Sequence, residues 1–528
     1  MLIQSDDSSH ESNTLCEPEN STEQSHPNEE EGEEQEEYID HHHSIDTSQA
    51  LLAYIFFFIL GSSFLLPWNS LLVSTTYFGS RLIGHQFQFN YMNWITVVFT
   101  ISNVIFISRA TSTQQNIKHP TFRIIISLLL ITTTSIILLI STRYIQFDPN
   151  WFFGFLITVT LSEALGSAYL QTSVIGLSAW FGSNYLQAIL SGQGAIGVLV
   201  SIVQLIVNIK ELDSSSSDPS RPIEDIPAHI RQSSFTFFSL CTGFSIFALL
   251  CFLILLRLPI YKSAIQRQHT ARDKLNYQES DQRPLLPPST EPVDSRSTDP
   301  PGSGVANLRV VERKIRSLGL SIFYNFFITL AVFPSITGFI LSSNDPDRTH
   351  IGSLTINSSS NGSRFIDNWY KPIIFIPLHF VIFNLGDWLG RVLPQLLPRL
   401  SQSLTKSKKV LYSLSLSRTI FIPLFLICNI DYSSIVLFRI YLIILVSFSI
   451  SNGYLSTLIM TAGVLEPTLK PNEVDVSFIS LLKKPKNREL RKGVFRFVAA
   501  TCLSFYLTSG LAAGSLISFG VKAIVYIL

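Results

Sequence analysis

The sequence is short of charge. Asp, Glu, Lys and Arg make up 14% of its 528 residues, against 46% hydrophobic residues and a mean hydropathy of +0.32. A soluble globular domain carries roughly 25% charged residues. The shortage is sharper than the percentage shows, because many of the charges gather in a few connections and an acidic tail. A soluble globular chain is excluded, and a polytopic membrane protein is expected. The formal net charge is +0, which gives no reason to expect a nucleic-acid partner. Cysteine is scarce as well. Cys16, Cys241, Cys251, Cys428 and Cys502 lie mostly within apolar runs, and none has CxxC spacing. Neither a disulfide framework nor a zinc site is expected. HExxH and P-loop patterns are missing, so no catalytic residue, metal or cofactor is anticipated, and ATP does not drive the chemistry. The polar, acidic N-terminus lacks the early apolar core of a cleavable signal.

What is present is a series of apolar runs, each about the 20 residues that a bilayer demands. They fall at 50–78, 91–108, 122–142, 152–181, 185–209, 235–258, 318–342, 372–398, 410–428, 433–462 and 494–527. The expected fold class is an all-α polytopic membrane protein of about eleven transmembrane helices. Residues 1–48 read as a disordered acidic tail, since the run from Glu29 to Glu37 repels itself. His41, His42 and His43 follow as a solvated triplet rather than a metal site. Residues 50–258 form a first bundle of six helices and residues 317–528 a second bundle of five. Between them, residues 259–316 are a linker rich in Pro, Ser and charge.

Lys and Arg set the orientation. Alternate connections are basic: Arg109 and Lys118; Lys262, Arg267, Arg272 and Lys274 with Arg309 to Arg316; Arg399 to Lys409; Lys483 to Lys492. The others are poorer. The basic set faces the cytosol, which puts the N-terminus in the cytosol and the C-terminus on the opposite side. Asp281 followed by Leu285 and Leu286 resembles a sorting signal read by adaptor proteins, consistent with a vacuolar, lysosomal or plasma membrane address. Asn357-Ser358-Ser359 and Asn361-Gly362-Ser363 fit the N-glycosylation pattern, and lie on the non-cytosolic side.

The stretch from Phe383 to Arg391 places an acid and a base mid-way along an apolar run. A charge at the centre of a membrane helix costs about 2.5–3.5 kcal/mol on the mildest scale, so such residues pair or face a cavity. Asp387 and Arg391 are four apart and share a helix face, which Asn384 joins. The pair either locks helix packing or lines a substrate path. In the first run, Leu66-Pro67-Trp68-Asn69 predicts a kink, where a Trp face and an Asn amide can meet a planar ligand. Glu163, Ser167 and Gln171 form one polar stripe. Gln171 both donates and accepts; Glu163, unpaired, is a candidate proton-linked residue. The small residues of Ser191-Gly192-Gln193-Gly194 favour close helix packing with Gln193 as interhelical glue. Phe333-Pro334 gives a further break, Ser451-Asn452-Gly453-Tyr454 a polar interruption, and Gly510 to Gly514 another close-packing surface.

Taken in order, these motifs resemble the equilibrative nucleoside transporter family. They are Leu66-Pro67-Trp68-Asn69, Gln171-Thr172-Ser173, Ser191-Gly192-Gln193-Gly194, Asn384 to Arg391, Ser451 to Leu455, and the Gly-Leu-Ala-x-Gly of the last run. Any one is unspecific; the ordered set is not. The resemblance implies a major-facilitator-like fold in a six-plus-five arrangement, alternating access around a central cavity, and a nucleoside such as uridine or adenosine as substrate. It implies that Trp68, Gln171, Asn384, Asp387, Arg391 and Leu511 contact substrate, and that Leu72 and Pro334 form an outer gate. Ser167 stands where some members carry glycine. A monomer in a lipid bilayer is expected. Two other readings compete: a transporter of the same fold for nucleobases, sugars or drugs, and an intramembrane hydrolase. The latter is disfavoured because Asn384-Leu385-Gly386-Asp387 lacks the first glycine of GxGD.

Overall fold

The computed structural model describes residues 47–88, 90–114, 120–144, 148–217, 226–281, 303–333, 336–337, 372–430, 435–465 and 488–527. Among these every regular element is helical. Burying a whole apolar segment in lipid leaves no water to satisfy its amides, and a helix satisfies them internally. The first run is not one helix but three: α1 (Thr47–Ser63), α2 (Leu66–Val73) and α3 (Thr75–Arg81). The axis bends by 42° between α1 and α2, where the sequence predicts a kink. Pro67 falls in the first turn of α2, where its missing N–H goes unneeded. The Asn69 amide donates to the Leu65 carbonyl at 3.0 Å, so it serves the bend.

The chain continues as α4 (Tyr91–Gln114), α5 (Pro120–Ser141), α6 (Pro149–Phe181), α7 (Ser183–Ser217) and α8 (Ile226–Leu255). A single residue, Gly182, separates α6 from α7. Its φ of 131° is open to glycine and strained for other residues, which is why so short a connection can reverse the chain. The linker opens in helix α9 (Pro259–Asp281) and closes in the first turns of α10 (Ser303–Val332). Then come α11 (Pro372–Leu396), α12 (Pro398–Thr405), α13 (Lys408–Ser417), a 3-10 turn (Arg418–Ile420), α14 (Phe421–Ile430), α15 (Ile435–Leu465) and α16 (Arg488–Ile527). The polar stretch from Ser451 to Tyr454 interrupts the apolar character of α15 and leaves its helix unbroken.

Nine described helices or joined helices are long and apolar enough to cross a membrane, ten if the bent α1–α2 pair is one span. Helix α11 is not among them. It has the length, 25 residues.

Helix α10 packs on α16, α15 on α11, and α4 and α5 on α6; α7 meets α11, and α6 meets α16. Small residues make the approach possible in lipid. A Cβ on Gly510 would collide with the Phe323 carbonyl, one on Gly390 with the Ile450 carbonyl, and one on Gly453 with the Asp387 carbonyl.

The core is divided unevenly along the helices. At one end, a single apolar cluster draws on both halves of the chain, from Ala53 to Ala264 and from Val311 to Leu507. At the other end there are two clusters. One lies wholly within Leu66–Cys241, the other is built from Ile328–Phe448. The division is consistent helix by helix. In α6, Phe152–Ala164 belong to the separate cluster and Leu170–Trp180 to the shared one. In α7, which runs the other way, Leu186–Leu190 are shared and Ile196–Val200 separate. In α15, Tyr441–Phe448 are separate and Leu455–Val464 shared. The two halves are thus sealed together at the end where α1 begins and have independent cores at the other.

Candidate functional site

Asp387 and Arg391 sit on α11 at the level where the shared core gives way. Each is only 6% exposed. Arg391 Nε donates to Asp387 Oδ2 at 2.8 Å, as the four-residue spacing requires. Arg391 also reaches out of its own half. Its Nη1 donates to the Leu190 carbonyl and to Gln193 Oε1, both at 3.1 Å, on α7. Gln193 is therefore glue between helices, as its setting among small residues predicts. Trp388 adds a bond from its indole Nε1 to Ser191 Oγ at 3.3 Å. A Cβ on Gly194 would stand 3.0 Å from Arg391 Cδ, so glycine is what lets the guanidinium lie against α7. Next to the last residue of α11, Gln395 Nε2 donates to the Tyr54 hydroxyl on α1 at 2.9 Å.

The second Asp387 oxygen is engaged inside its own half. Asn452 Nδ2, on α15, donates to Oδ1 at 2.6 Å. Asn452 Oδ1 in turn accepts from Asn325 Nδ2 at 2.9 Å and from Thr329 Oγ1 at 2.8 Å, both on α10. Thr329 Oγ1 accepts from Arg418 Nη2 at 2.9 Å. A continuous buried polar chain therefore runs Arg418–Thr329–Asn452–Asp387–Arg391–α7. Buried polar groups are tolerated when partnered, and a charge-assisted bond such as that to Asp387 is about twice as strong as a neutral one.

The other expected contacts are placed differently. Gln171, buried on α6, donates from Nε2 to Ser504 Oγ on α16 at 2.8 Å. It joins the two halves but through another pair of helices. Trp68 is half-buried and packs against Phe99 on α4, ring centroids 4.6 Å apart. Asn384 is half-buried, its Oδ1 lying 2.9 Å from where a Gly197 Cβ would stand. Leu511 is half-buried against the shared core, and Leu72 is half-buried on α2. Pro334, Leu285, Leu286, Asn357 and Asn361 fall outside the described residues, as does Cys16; Asp281 is the last residue of α9. The other four cysteines are buried and free.

Glu163 is 0% exposed, and neither of its oxygens has a hydrogen-bond partner. Thr134 on α5 and Cys241 on α8 lie beside it. The Thr134 hydroxyl is already donated to the Leu130 and Ile131 carbonyls, at 2.9 Å and 3.0 Å. The Ser167 hydroxyl of the same stripe is also without a partner.

Sequence reasoning missed Arg418, Asn325 and the part that Asn452 plays. Arg418 did carry a signal: a lone arginine inside the apolar run 410–428 demands a partner or a cavity on the same grounds as Asp387. Asn325 had no such signal, because a single amide in a membrane helix is unremarkable until its neighbours are known.

Residues 156–476, more than half of the chain, match the family model described as "Nucleoside transporter". Curated relatives agree along nearly the whole length. The chain is 27% identical over 510 residues to human equilibrative nucleoside transporter 1, covering 89% of this chain and 97% of that one. It is 26% identical over 508 residues to mouse equilibrative nucleoside transporter 2, with 89% and 96% covered. It is 28% identical over 446 residues to rat equilibrative nucleoside transporter 3, with 80% and 83% covered. Among solved structures it is similar to the E. coli fucose:proton symporter, a major facilitator superfamily transporter, with a TM-score of 0.47 and 13% identity over 91% of this chain and 97% of that one.

Proposed function

The chain belongs to the nucleoside transporter family, and from that premise we propose that it carries nucleosides across a membrane by alternating access. The observation that supports this most directly is the bond from Arg391 to α7. It ties the first half of the chain to the second at the sealed end, through the residues that an intramembrane substrate site would use.

In this reading the sealed end faces the cytosol, where the basic connections lie. The N-terminus is cytosolic and the C-terminus is on the other side. The bent α1–α2 pair counts as one span and α11 as another, which makes eleven: six through residue 258 and five from 317. The conformation seen is closed toward the cytosol, with the separate cores flanking the route from outside. Trp68, Gln171, Asn384, Asp387, Arg391 and Leu511 form the substrate path, and Leu72 and Pro334 the outer gate. A ribose hydroxyl donates to the Asp387 carboxylate while a neighbouring hydroxyl oxygen accepts from the Arg391 guanidinium. To do so it takes over from the α7 acceptors of Arg391, and the sealed end loosens. Substrate binding and opening are thus the same exchange of hydrogen bonds.

The carrier works as a monomer, glycosylated at Asn357 and Asn361, with the stretch Asp281, Leu285 and Leu286 read by sorting adaptors that direct it to a vacuolar or lysosomal membrane.

The test is uptake of uridine or adenosine into proteoliposomes. Asp387→Ala and Arg391→Ala are each expected to lower uptake about 100-fold with the protein still folded, since each deletes a charge-assisted bond worth about 1.5–3 kcal/mol and leaves its partner unmet. Nucleosides lacking a ribose hydroxyl should compete about 10–100-fold more weakly, by the same reckoning. Full uptake in both variants would remove the site. Stronger competition by nucleobases or sugars than by nucleosides would point to the alternative substrates.

A second reading rests on Glu163. A carboxyl fully enclosed among α5, α6 and α8 without a partner is a place to carry a proton, so flux linked to protons is the variant of this mechanism that the structure favours next.

A further inference from the structure

Arg418 is a buried charge that the substrate reading leaves unused. It stands at the 3-10 turn where the span Lys408–Cys428 breaks between α13 and α14. It is 2% exposed, and its guanidinium lies 4.6 Å from the centre of the Phe448 ring. Of its three nitrogens only Nη2 has a partner, Thr329; Nε and Nη1 are buried and unpartnered. Leaving donors and a charge so enclosed is costly. The carboxylate that acts on it electrostatically is Asp387. The buried site therefore holds two guanidinia and one carboxylate.

The two cations differ in where they are anchored. Arg391 spends Nη1 on α7, in the other half of the molecule. Every atom that Arg418 touches, through Thr329, Asn452 and Phe448, belongs to the same half as Asp387. When α7 parts from α11, or when substrate takes hold of Arg391, the attraction between Arg391 and Asp387 weakens. The Arg418 arrangement travels with Asp387 unchanged.

We propose that Arg418 is a positioning residue for transport: the resident counter-cation that keeps Asp387 ionised, and aimed through Thr329 and Asn452, during the step in which Arg391 is diverted. This rests on the reading of Asp387 and Arg391 as the substrate site. An enclosed carboxylate stripped of its only cation takes up a proton, and a protonated Asp387 no longer accepts from both oxygens. Arg418 prevents this at Asp387. The groups facing Asp387 are few. Arg391 lies on its own helix, Asn452 on α15, Arg418 at the turn, and the Leu190 carbonyl and Gln193 on α7 are approached through Arg391. Only the two arginines are charged. His379, two turns earlier on α11, is engaged with the Tyr441 hydroxyl at 3.0 Å.

The experiment compares nucleoside uptake, per folded transporter, across pH about 5 to about 8, the range over which a carboxyl deprived of its cation titrates. Wild-type uptake should be flat. Arg418→Met, which keeps an unbranched chain over Phe448, and Arg418→Gln should both transport at high pH and lose uptake as pH falls, by up to about tenfold per pH unit. Arg418→Lys, which keeps a charge, should restore uptake at low pH. The sign follows from the chemistry: a carboxyl accepts hydrogen bonds through both oxygens only when ionised, so the loss falls on the acid side. Profiles parallel to wild type, or loss of folded protein in both uncharged variants, would overturn the proposal and leave Arg418 a packing residue. Asp387→Asn in the same assay separates the premise. If it transports like wild type, Asp387 is not in the substrate site at all. If it is inactive while the Arg418 variants stay flat, the inference about Arg418 alone has failed.

Discussion

At the scale of the residue, the molecule is a small number of polar side chains answering one another in an apolar medium. The Asp387–Arg391 pairing was legible in the sequence because it is local: four residues apart on a helix means one face. The tie from Arg391 to Leu190 and Gln193 was not, since it depends on which helix α11 meets. Gln171 illustrates the same limit. Its hydrogen-bonding capacity was plain, but its partner Ser504 lies 333 positions away. Glu163 reads in the sequence as an acid without a cation, and neither of its oxygens has a hydrogen-bond partner in the structure. It yields a prediction. If Glu163 carries a proton during transport, an inward-directed proton gradient should accelerate wild-type uptake severalfold, and Glu163→Gln should erase that acceleration while leaving gradient-free exchange intact. Flux indifferent to the gradient in the wild type would dispose of the idea.

At the scale of the element, glycines decide how near two helices can come. Gly453 on α15 lies against the Asp387 carbonyl of α11, and Gly390 on α11 against the Ile450 carbonyl of α15. Gly453→Val should therefore force α11 from α15, break the Asn452–Asp387 bond, and yield little folded protein on detergent size exclusion, because backbone cannot yield as a side-chain tip can. Gly243→Ala on α8 is the control. Nothing lies within 4 Å of its Cβ position, and the change should raise stability by about 0.5–1 kcal/mol, read as a higher melting temperature. The sequence displayed these small-residue surfaces, and the kink at Pro67 too, because both are consequences of residue type. It did not display the 3-10 turn at Arg418 that divides the span 410–428, because that turn answers to the environment of the helix, which hydropathy does not carry.

At the scale of the whole molecule, alternation between a shared core and two separate cores defines the state observed. The sealed end can be tested directly. Tyr54 and Gln395 meet there from opposite halves, hydroxyl to amide at 2.9 Å. Tyr54→Cys with Gln395→Cys, joined by a short bifunctional thiol reagent, should halt uptake, and a cleavable reagent should restore it on reduction. Continued transport by the cross-linked protein would mean that this end does not open during the cycle. The four described native cysteines are buried, which keeps their contribution to such labelling small. Membrane class could be foreseen from hydropathy alone. Which end is shut could not, because it depends on how surfaces hundreds of residues apart are shared.

The uneven core carries a consequence for pharmacology. Apolar area joined at one end and parted at the other biases the unloaded carrier toward presenting its mouth on a single side of the bilayer. A bulky, impermeant competitor supplied on that side should block at once. The same compound sealed within vesicles on the far side should wait for substrate-driven turnover before it takes effect, so the delay itself becomes a clock for reorientation.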